Sequence, residues 1–276
     1  MAAQPQTLAV PDFHARDVDF GLDAERVTDW AGDPWRTLFF NTLSITFPAG
    51  ERFFINSVAQ HREQITDPQL RAHVNAFVSQ EALHTREHIA YNEAIGRVLD
   101  TAPLEAGLAR FLDFIKRSTS PQIRLAVTCA LEHFTAIMAK DTLERPEHLR
   151  GAEPQYARLW TWHALEECEH KAVSFDVYQR VTDGRANWLR MFVMIPTSLI
   201  LFFYLAKFAH ALMRAQGHAR SPVAWAKLLW AAYGSPGLMR RIIPSYLKYF
   251  NPRFHPNDID DHAVLANTKR LVDAWI

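Results

Sequence analysis

The order in which glutamates and histidines follow one another along the sequence constrains the fold of this chain more than any other feature. A glutamate is followed by a Glu-x-x-His motif, and the same series then occurs a second time; the residues are Glu51, Glu81, His84, Glu132, Glu167 and His170. A glutamate and a histidine three positions apart lie on the same face of a helix. A four-helix bundle can place such a set around two metal ions, with one glutamate from each of two helices and a Glu-x-x-His pair from each of the other two.

The spacing of the motifs predicts two antiparallel helix pairs. Thirty residues separate Glu51 from Glu81, and 35 separate Glu132 from Glu167. At a rise of ~1.5 Å per residue, each interval is long enough for one helix, a turn and a returning helix. No pair of segments shows the alternation that is typical of strands. The fold class is therefore expected to be all-α, a four-helix bundle with a dinuclear metal site and additional C-terminal helices.

Proline and its neighbours predict where the bundle helices begin and end. Asp67-Pro68 and Ser120-Pro121 each combine a capping side chain with a proline suited to the first helical turn. Gly184 is a typical helix terminator. From these signals we expect the four bundle helices at about 48–65, 68–99, 121–145 and 154–183.

Length and composition favour a single domain. A chain of 276 residues of which 49% are hydrophobic can bury a substantial core. We expect an irregular N-terminal lead-in, a metal-binding helical bundle, and an apolar helix with C-terminal helices packed on the bundle in the same domain; the ranges are 1–32, 33–186 and 187–276. The shorter helices after Gly217 are expected at 223–233, 237–249 and 258–276.

The most apolar segment of the chain runs from Met191 to Ala206 without a charged residue. It is shorter than the ~20 residues that span a bilayer, although an extension past Lys207 to Met213 would reach that length. We favour a buried helix that closes the bundle. Membrane association and an apolar substrate tunnel are the alternatives, and Pro196 is a candidate kink.

Charge and cysteine content indicate the cellular compartment and the class of partner to expect. Thirty basic residues balance 30 acidic ones, which gives no reason to expect a nucleic-acid partner. The two cysteines, Cys129 and Cys168, lie in helical stretches and do not form a disulfide framework. The N-terminal segment lacks the features of a secretory signal. We expect a cytoplasmic protein, with membrane association through 191–213 as the alternative, and a homodimer is a candidate oligomeric state.

The candidate ligands differ in how well the sequence supports them individually. Glu132 interrupts an apolar helix, and an ionised buried glutamate is unfavourable unless a cation or partner satisfies it. Glu51 is weaker, because an acidic residue near a helix start also favours the helix dipole. A solitary Glu-x-x-His is common on solvated helices, so the repetition of the motif carries the argument.

Further histidines and glutamates lie close to the motifs. His163 lies four positions before Glu167 and seven before His170, on the same helix face, and is a candidate seventh ligand. Glu166 is the competing carboxylate, whereas Glu169 is expected to point away. His88 is expected either to support or replace a ligand, or simply to pack in the core.

These residues resemble the ferritin-like di-iron carboxylate superfamily, and in particular its bacterial branch labelled predicted metal-dependent hydrolase. The resemblance covers about residues 51–178 and is carried by the segments ERFFI, QEALHTREH, ALEHFTA and WHALEECEHKAVSFDVY. The segment HALEECEH is also similar to the histidine-rich site of di-iron arylamine N-oxygenases, in which a third histidine binds one iron. That similarity implies that His163 is the added ligand. The remaining chain shows no matching arylamine pocket, so the substrate is not carried over.

Four carboxylates with two or three imidazoles are typical of iron or manganese sites, whereas thiolate-rich sites are typical of zinc. We therefore expect two iron ions, with manganese or zinc as alternatives. The expected function is that of a non-haem di-iron oxygenase or oxidase, with dioxygen, a small and hydrophobic organic substrate and an electron donor as partners. A metal-dependent hydrolase that uses metal-activated water is the alternative, and a non-catalytic iron-binding protein is the second alternative. Tyr91, Asp176 and Tyr178 are candidates for residues that support the ligands.

Overall fold

Helices make up all the regular secondary structure of the computed structural model over residues 12–276, the residues that the structure describes. The α-helices are α1 (Pro34–Ala59), α2 (Pro68–Ile95), α3 (Ala102–Ser118), α4 (Pro121–Glu144), α5 (Pro154–His170), α6 (Val173–Thr182), α7 (Asn187–Ala215), α8 (Pro222–Leu229), α9 (Leu238–Arg241), α10 (Ile243–Lys248) and α11 (His262–Asp273). Short 3-10 turns lie at Ala24–Arg26, Arg62–Gln64, Pro146–His148 and Pro256–Asp258, and a π-helical turn at Trp230–Gly234. The predicted all-α fold is confirmed.

Two antiparallel helix pairs form the bundle, as the motif spacing predicts. On α1 and α2, Ser44 bonds Asn92 and Glu51 bonds Thr85, so residue numbers rise along one helix as they fall along the other. On α4 and α5, Cys168 contacts Ala136 and His170 lies 3.4 Å from Glu132, which shows the same opposite order. The helix α5 also packs against α2, which brings the two pairs together.

The first bundle helix begins 14 residues earlier than the predicted start near Pro48, which lies inside α1. The Asp33 carboxylate caps the helix and accepts from the backbone amides of Trp35 and Arg36 at 3.0 and 2.8 Å. Proline inside a helix normally leaves the carbonyl four residues earlier without a donor. Here the Asn92 side chain of α2 donates to the Ser44 carbonyl at 3.3 Å. A tertiary contact therefore satisfies the group that Pro48 leaves unpaired.

The other bundle helices match the predicted bounds closely, with two differences. The predicted fourth helix is interrupted at Lys171 and Ala172, which separate α5 from α6. At this point the buried Lys171 ammonium donates to the Ile259 carbonyl and to Asp261. The second difference is α3, an additional helix that was not predicted and that packs on α1. Its apolar residues repeat at helical spacing, a signal that was available in the sequence.

The N-terminal lead-in is mostly irregular but is anchored on the bundle. Val18, Phe20 and Trp30 are buried in the main hydrophobic core. The Trp162 indole donates to the Arg16 carbonyl at 3.1 Å, and the Tyr156 hydroxyl donates to the Asp23 carbonyl at 3.0 Å. Residues 1–11 of the predicted lead-in lie outside the described residues. The three predicted divisions of the domain stay predictions, although all three contribute to this core.

The apolar run forms the 29-residue helix α7, which continues through Pro196 and packs on α1 and α4. By length and composition alone this helix could cross a membrane, and that criterion is also met by core helices of soluble proteins. Only 33% of its most apolar window is buried, so α7 is less buried than the bundle-closing helix that was expected. One face of α7 belongs to the core and the other is exposed.

Candidate metal centre

The seven predicted ligands come together inside the bundle. Each of the four central helices contributes, and every one of these side chains is buried; they are Glu51 on α1, Glu81 and His84 on α2, Glu132 on α4, and His163, Glu167 and His170 on α5. Their ligand atoms form overlapping groups in which all atoms lie within 4.8 Å of one another. The helical spacing of the motifs thus places all seven side chains on the inner faces of their helices.

One group surrounds the His170 ring. Its Nε2 lies 3.2 Å from Glu81 Oε1, 3.4 Å from Glu132 Oε2 and 3.5 Å from Glu167 Oε2. Phe77 covers this imidazole edge-on, with ring centroids 4.9 Å apart. Three carboxylates and one imidazole therefore converge on one point, as the ligands of one metal ion do.

The second group lies on the His84 side. Glu167 Oε1 is 3.5 Å from His84 Nδ1 and 3.2 Å from His163 Nε2. The carboxylates of Glu51 and Glu81 come within 4.8 Å of the His84 ring nitrogen. Glu81 and Glu167 thus belong to both groups, and both would help to hold metal ions there. Glu51 and Glu132 each belong to one side.

Several of these buried polar atoms have no hydrogen-bond partner. They are Glu51 Oε1, both oxygens of Glu81 and of Glu132, Glu167 Oε2, His84 Nδ1 and His170 Nε2. Buried carboxylates and imidazoles without partners are strongly unfavourable, and cations relieve this cost. The nitrogen and oxygen donors lie close together without hydrogen-bond geometry, so the residues fit two divalent metal ions. Cys129 and Cys168 are buried outside these groups.

Electrostatics show how the metal-free centre balances its charges. Burial raises the pKa of Glu132 to about 8, and Glu81 adds to the shift. Burial likewise raises the pKa of Glu51 and of Glu81. Burial lowers the pKa of His84, but the hydrogen bond with Glu166 and the nearby carboxylate of Glu167 raise it to about 10. The metal-free centre therefore retains protons that metal ions would displace.

A carboxylate outside the groups orients His84. The Nε2 of His84 donates to Glu166 Oε2 at 3.1 Å, which leaves Nδ1 directed at the centre. Glu166 Oε1 in turn accepts from the Arg16 backbone amide at 2.9 Å. Carboxylates that hold the far nitrogen of a ligating histidine fix its orientation and tautomer. Glu166 therefore positions the candidate ligand His84, whereas Glu167 lies among the imidazoles and is itself a candidate ligand.

His170 is oriented through Gln80. The His170 Nδ1 donates to Gln80 Oε1 at 3.0 Å, and Gln80 Nε2 donates to Glu169 Oε2 at 3.0 Å. The Arg16 guanidinium binds both oxygens of Glu169 at 2.7 and 2.8 Å and also contacts Asp273 at 2.6 Å. One buried arginine from the lead-in thus supports both Glu-x-x-His pairs.

His163 is held by a third set of contacts. Its Nδ1 lies 3.1 Å from His88 Nε2, and His88 Nδ1 lies 2.9 Å from Ser44 Oγ. The Ser44 hydroxyl donates to Asn92 at 2.8 Å. If each ring donates onward along this series, the His163 Nε2 lone pair is free for a metal ion. This assignment makes His88 a positioning residue for His163.

The other predicted supporting residues lie elsewhere. The Tyr91 hydroxyl donates to Asn41, Asp176 contacts His255, and the Tyr178 hydroxyl donates to the Ala186 carbonyl. Arg16 and Gln80 were not among the supporting residues predicted from the sequence. Arg16 is remote in sequence and gives no spacing signal, whereas Gln80 directly precedes a predicted ligand.

An apolar cavity adjoins the centre at Glu51. Its walls come from α1, α3, α4 and α7, and about 110 Å³ of it is open to water-sized molecules. Phe47 separates the cavity from His163 and stacks on its ring at 4.9 Å. Thr85 holds Glu51 Oε2 with a hydrogen bond of 2.9 Å. Glu51 is therefore the predicted ligand that faces the cavity.

Comparison with known proteins gives one match. No curated protein and no solved structure is similar enough to match this chain. The model of a family described as "predicted metal-dependent hydrolase" matches residues 14–260, which include every candidate ligand. The matched region also contains Arg16, the cavity and α7. Because this match extends over most of the chain, the protein belongs to the predicted metal-dependent hydrolase family.

Proposed function

We propose that the protein is a non-haem di-iron oxidoreductase that uses dioxygen to oxidise a small apolar substrate. The observation that carries the proposal is the convergence of four buried carboxylates and three imidazoles into two overlapping groups that share Glu81 and Glu167. A four-helix bundle with this donor set is typical of di-iron and di-manganese carboxylate proteins. Membership of a metal-dependent family supports the metal requirement.

Iron ions would be held by Glu132 and His170 on one side and by Glu51, His84 and His163 on the other, with Glu81 and Glu167 between them. When bound, two iron ions supply reducing electrons and an open coordination position for dioxygen. A reduced partner would be needed to return electrons for repeated oxygenation. Manganese and zinc are the alternative metals for the same nitrogen and oxygen donors.

The chain's own residues would control access to the centre. The cavity walls are almost wholly apolar, and they would bind an apolar substrate while excluding water. Glu51 lies where the cavity meets the ligand groups, so its carboxylate would border the bound substrate. Arg16, Gln80 and Glu166 would hold the two Glu-x-x-His imidazoles in place, because each ring's far nitrogen is already hydrogen-bonded.

Metal analysis combined with spectroscopy tests the proposal. Protein purified without chelator should contain close to two irons per chain, and its optical spectrum should change on reduction and on exposure to oxygen. His170→Ala should lose metal and this spectrum, whereas Glu144→Gln, at an exposed position of α4, should retain both. Two redox-silent zinc ions would overturn the oxidoreductase proposal, and absence of metal would overturn the metal centre itself.

The family description favours hydrolysis as a second candidate function. In that case the same ligands would hold metals that activate water against an ester, amide or phosphate bond. The two reactions differ in their need for oxygen. Conversion of an apolar substrate that stops under strict anaerobic conditions would support oxidation, and cleavage that continues there would support the hydrolase.

A further inference from the structure

The C-terminal part of the chain is strongly basic although the whole chain is neutral. Between Asp183 and Asp258 there are ten lysines and arginines and not one acidic residue. All of these basic residues except Arg190 are exposed. The segment includes α7, α8, α9 and α10, so a positive surface belongs to this end of the fold. Such a surface attracts anionic partners.

The exposed side of α7 is apolar, opposite to the usual pattern of a surface helix. Five large side chains spaced three or four residues apart form one stripe, which we call the α7 face: Trp188, Phe192, Ile195, Leu199 and Phe203. Each is between 53% and 70% exposed. The stripe extends ~22 Å along the helix at 1.5 Å per residue. Contiguous exposed apolar surface of this kind marks an interaction site.

Neighbouring elements widen the α7 face. Leu229 and Tyr233, both exposed, line a shallow apolar groove with Phe202 of α7. On α10, the Tyr246 hydroxyl lies 3.0 Å from Ser198 Oγ, and Leu247 is exposed. Tryptophan, tyrosine and aliphatic side chains among exposed basic residues are typical of surfaces that lie at the interface of a bilayer.

The charge distribution favours a lipid bilayer over a second copy of the chain. Two copies paired through the α7 face would bring two positive surfaces together, which is repulsive. A spanning arrangement is also disfavoured, because Met194, Phe208 and Met213 on the other side of α7 are fully buried in the core. A helix that keeps one face in the protein and presents the other to lipid fits a peripheral, one-sided attachment. Anionic headgroups would neutralise the basic residues.

The apolar cavity reaches the surface beside the α7 face. Ile200 lines the cavity and is 36% exposed, and it directly follows Leu199 of the α7 face. Leu201 and Tyr204 continue the cavity wall inward, and Glu51 lies at the metal centre. The cavity volume of about 110 Å³ is smaller than that of the ~300–1,000 Å³ clefts that hold drug-sized ligands. A slender hydrocarbon chain suits its volume and its apolar lining.

We propose that the α7 face docks on an anionic phospholipid bilayer, and that the cavity admits a hydrocarbon chain from that bilayer toward the metal centre. The second half rests on the proposed function, since it assigns the substrate class of that centre. Docking itself requires no metal. The two halves are therefore tested by binding, without reliance on turnover.

Vesicle flotation of the full chain, purified with its metal, tests docking. We expect the protein to float with phosphatidylcholine vesicles that contain about one-third phosphatidylglycerol, and less with phosphatidylcholine alone, with binding that weakens as salt rises. Leu199→Glu combined with Phe203→Glu should lower partitioning about tenfold or more. The matched control, Leu271→Glu with Ile276→Glu, changes exposed apolar residues outside the basic segment and should bind as the unchanged protein does.

A fluorescent, unbranched fatty acid such as parinaric acid tests the cavity. Its fluorescence should rise on binding, and Leu131→Trp, which fills the cavity, should abolish the rise without changing flotation. Gly50→Ala is a milder second variant, because its added Cβ would lie 3.7 Å from the nearest atom, in Phe54, and it should weaken probe binding.

The outcomes separate the two proposals. Failure to float, or flotation unaffected by the α7 double variant, would overturn docking. A dimer in light scattering that the α7 double variant dissociates, with no vesicle binding, would assign the α7 face to a second copy instead. Vesicle binding without fatty-acid binding would overturn entry through the cavity. Metal content measured on the same samples reports independently on the proposed di-iron centre.

Discussion

Replacement of Glu132 by glutamine is the sharpest test of the charge balance in the centre. Burial, with a further contribution from Glu81, raises the pKa of Glu132 from 4.5 to about 8 in the metal-free chain. In the unfolded chain the same carboxyl ionises near its ordinary value. Between these two pH values the folded state binds the extra proton, so the stability of the metal-free protein falls as pH rises.

The magnitude follows from the difference between the two pKa values. pH 7 lies about 2.5 units above the pKa of this carboxyl in the unfolded chain. At 1.36 kcal/mol per unit, its ionisation on unfolding lowers the stability of the metal-free protein by ~3 kcal/mol. Glutamine has nearly the same shape and no charge to lose. Metal-free Glu132→Gln should therefore be more stable than the unchanged metal-free protein by ~3 kcal/mol at pH 7 and by almost nothing near pH 4.5.

Urea unfolding of chelator-treated proteins at several pH values between about 5 and 8 measures this difference. Glu144→Gln is the control, because it removes an exposed glutamate from the same helix and should not change the pH dependence. With metal added, the order should reverse, since only the unchanged protein retains the full ligand set. If the stability difference between Glu132→Gln and the unchanged protein is the same at both ends of the pH range, the proposed protonation of Glu132 is wrong.

Four further outcomes are expected. His88→Phe should weaken metal affinity by about 10–100-fold, because His163 loses the acceptor for its Nδ1; unchanged affinity in a metal titration would contradict this positioning role. Arg16→Met should lower the free energy of unfolding by ~3–5 kcal/mol, because it removes the guanidinium that pairs with the buried Glu166 and with the largely buried side chain of Glu169, and urea unfolding measures the loss. Metal added to the chelated protein near pH 7 should release protons, because the raised pKa values of Glu132 and His84 keep them protonated there; a weakly buffered indicator solution that shows no acidification would refute this. Chelation should lower the melting temperature, and calorimetry should show it restored by metal addition.

Local spacing allowed the sequence to predict the candidate ligands as a group. The Glu-x-x-His pairs need only one helix each to aim both side chains inward, and His163 follows by the same periodicity. Asp67-Pro68 and Ser120-Pro121 likewise act within one turn, so they predict the starts of α2 and α4 correctly. These features depend on neighbours within about four residues, which a sequence displays directly.

Features that depend on distant partners required the tertiary structure. Pro48 was predicted to lie at a helix start, because no local signal shows that the Asn92 side chain replaces the backbone donor that proline lacks. The support of two motif imidazoles by Arg16 joins residues about 150 positions apart. Hydropathy alone cannot distinguish a buried helix from one with an exposed apolar side, since both have the same composition. Only the packing of α7 on α1 and α4 shows which of its faces is covered and which is free to meet a partner.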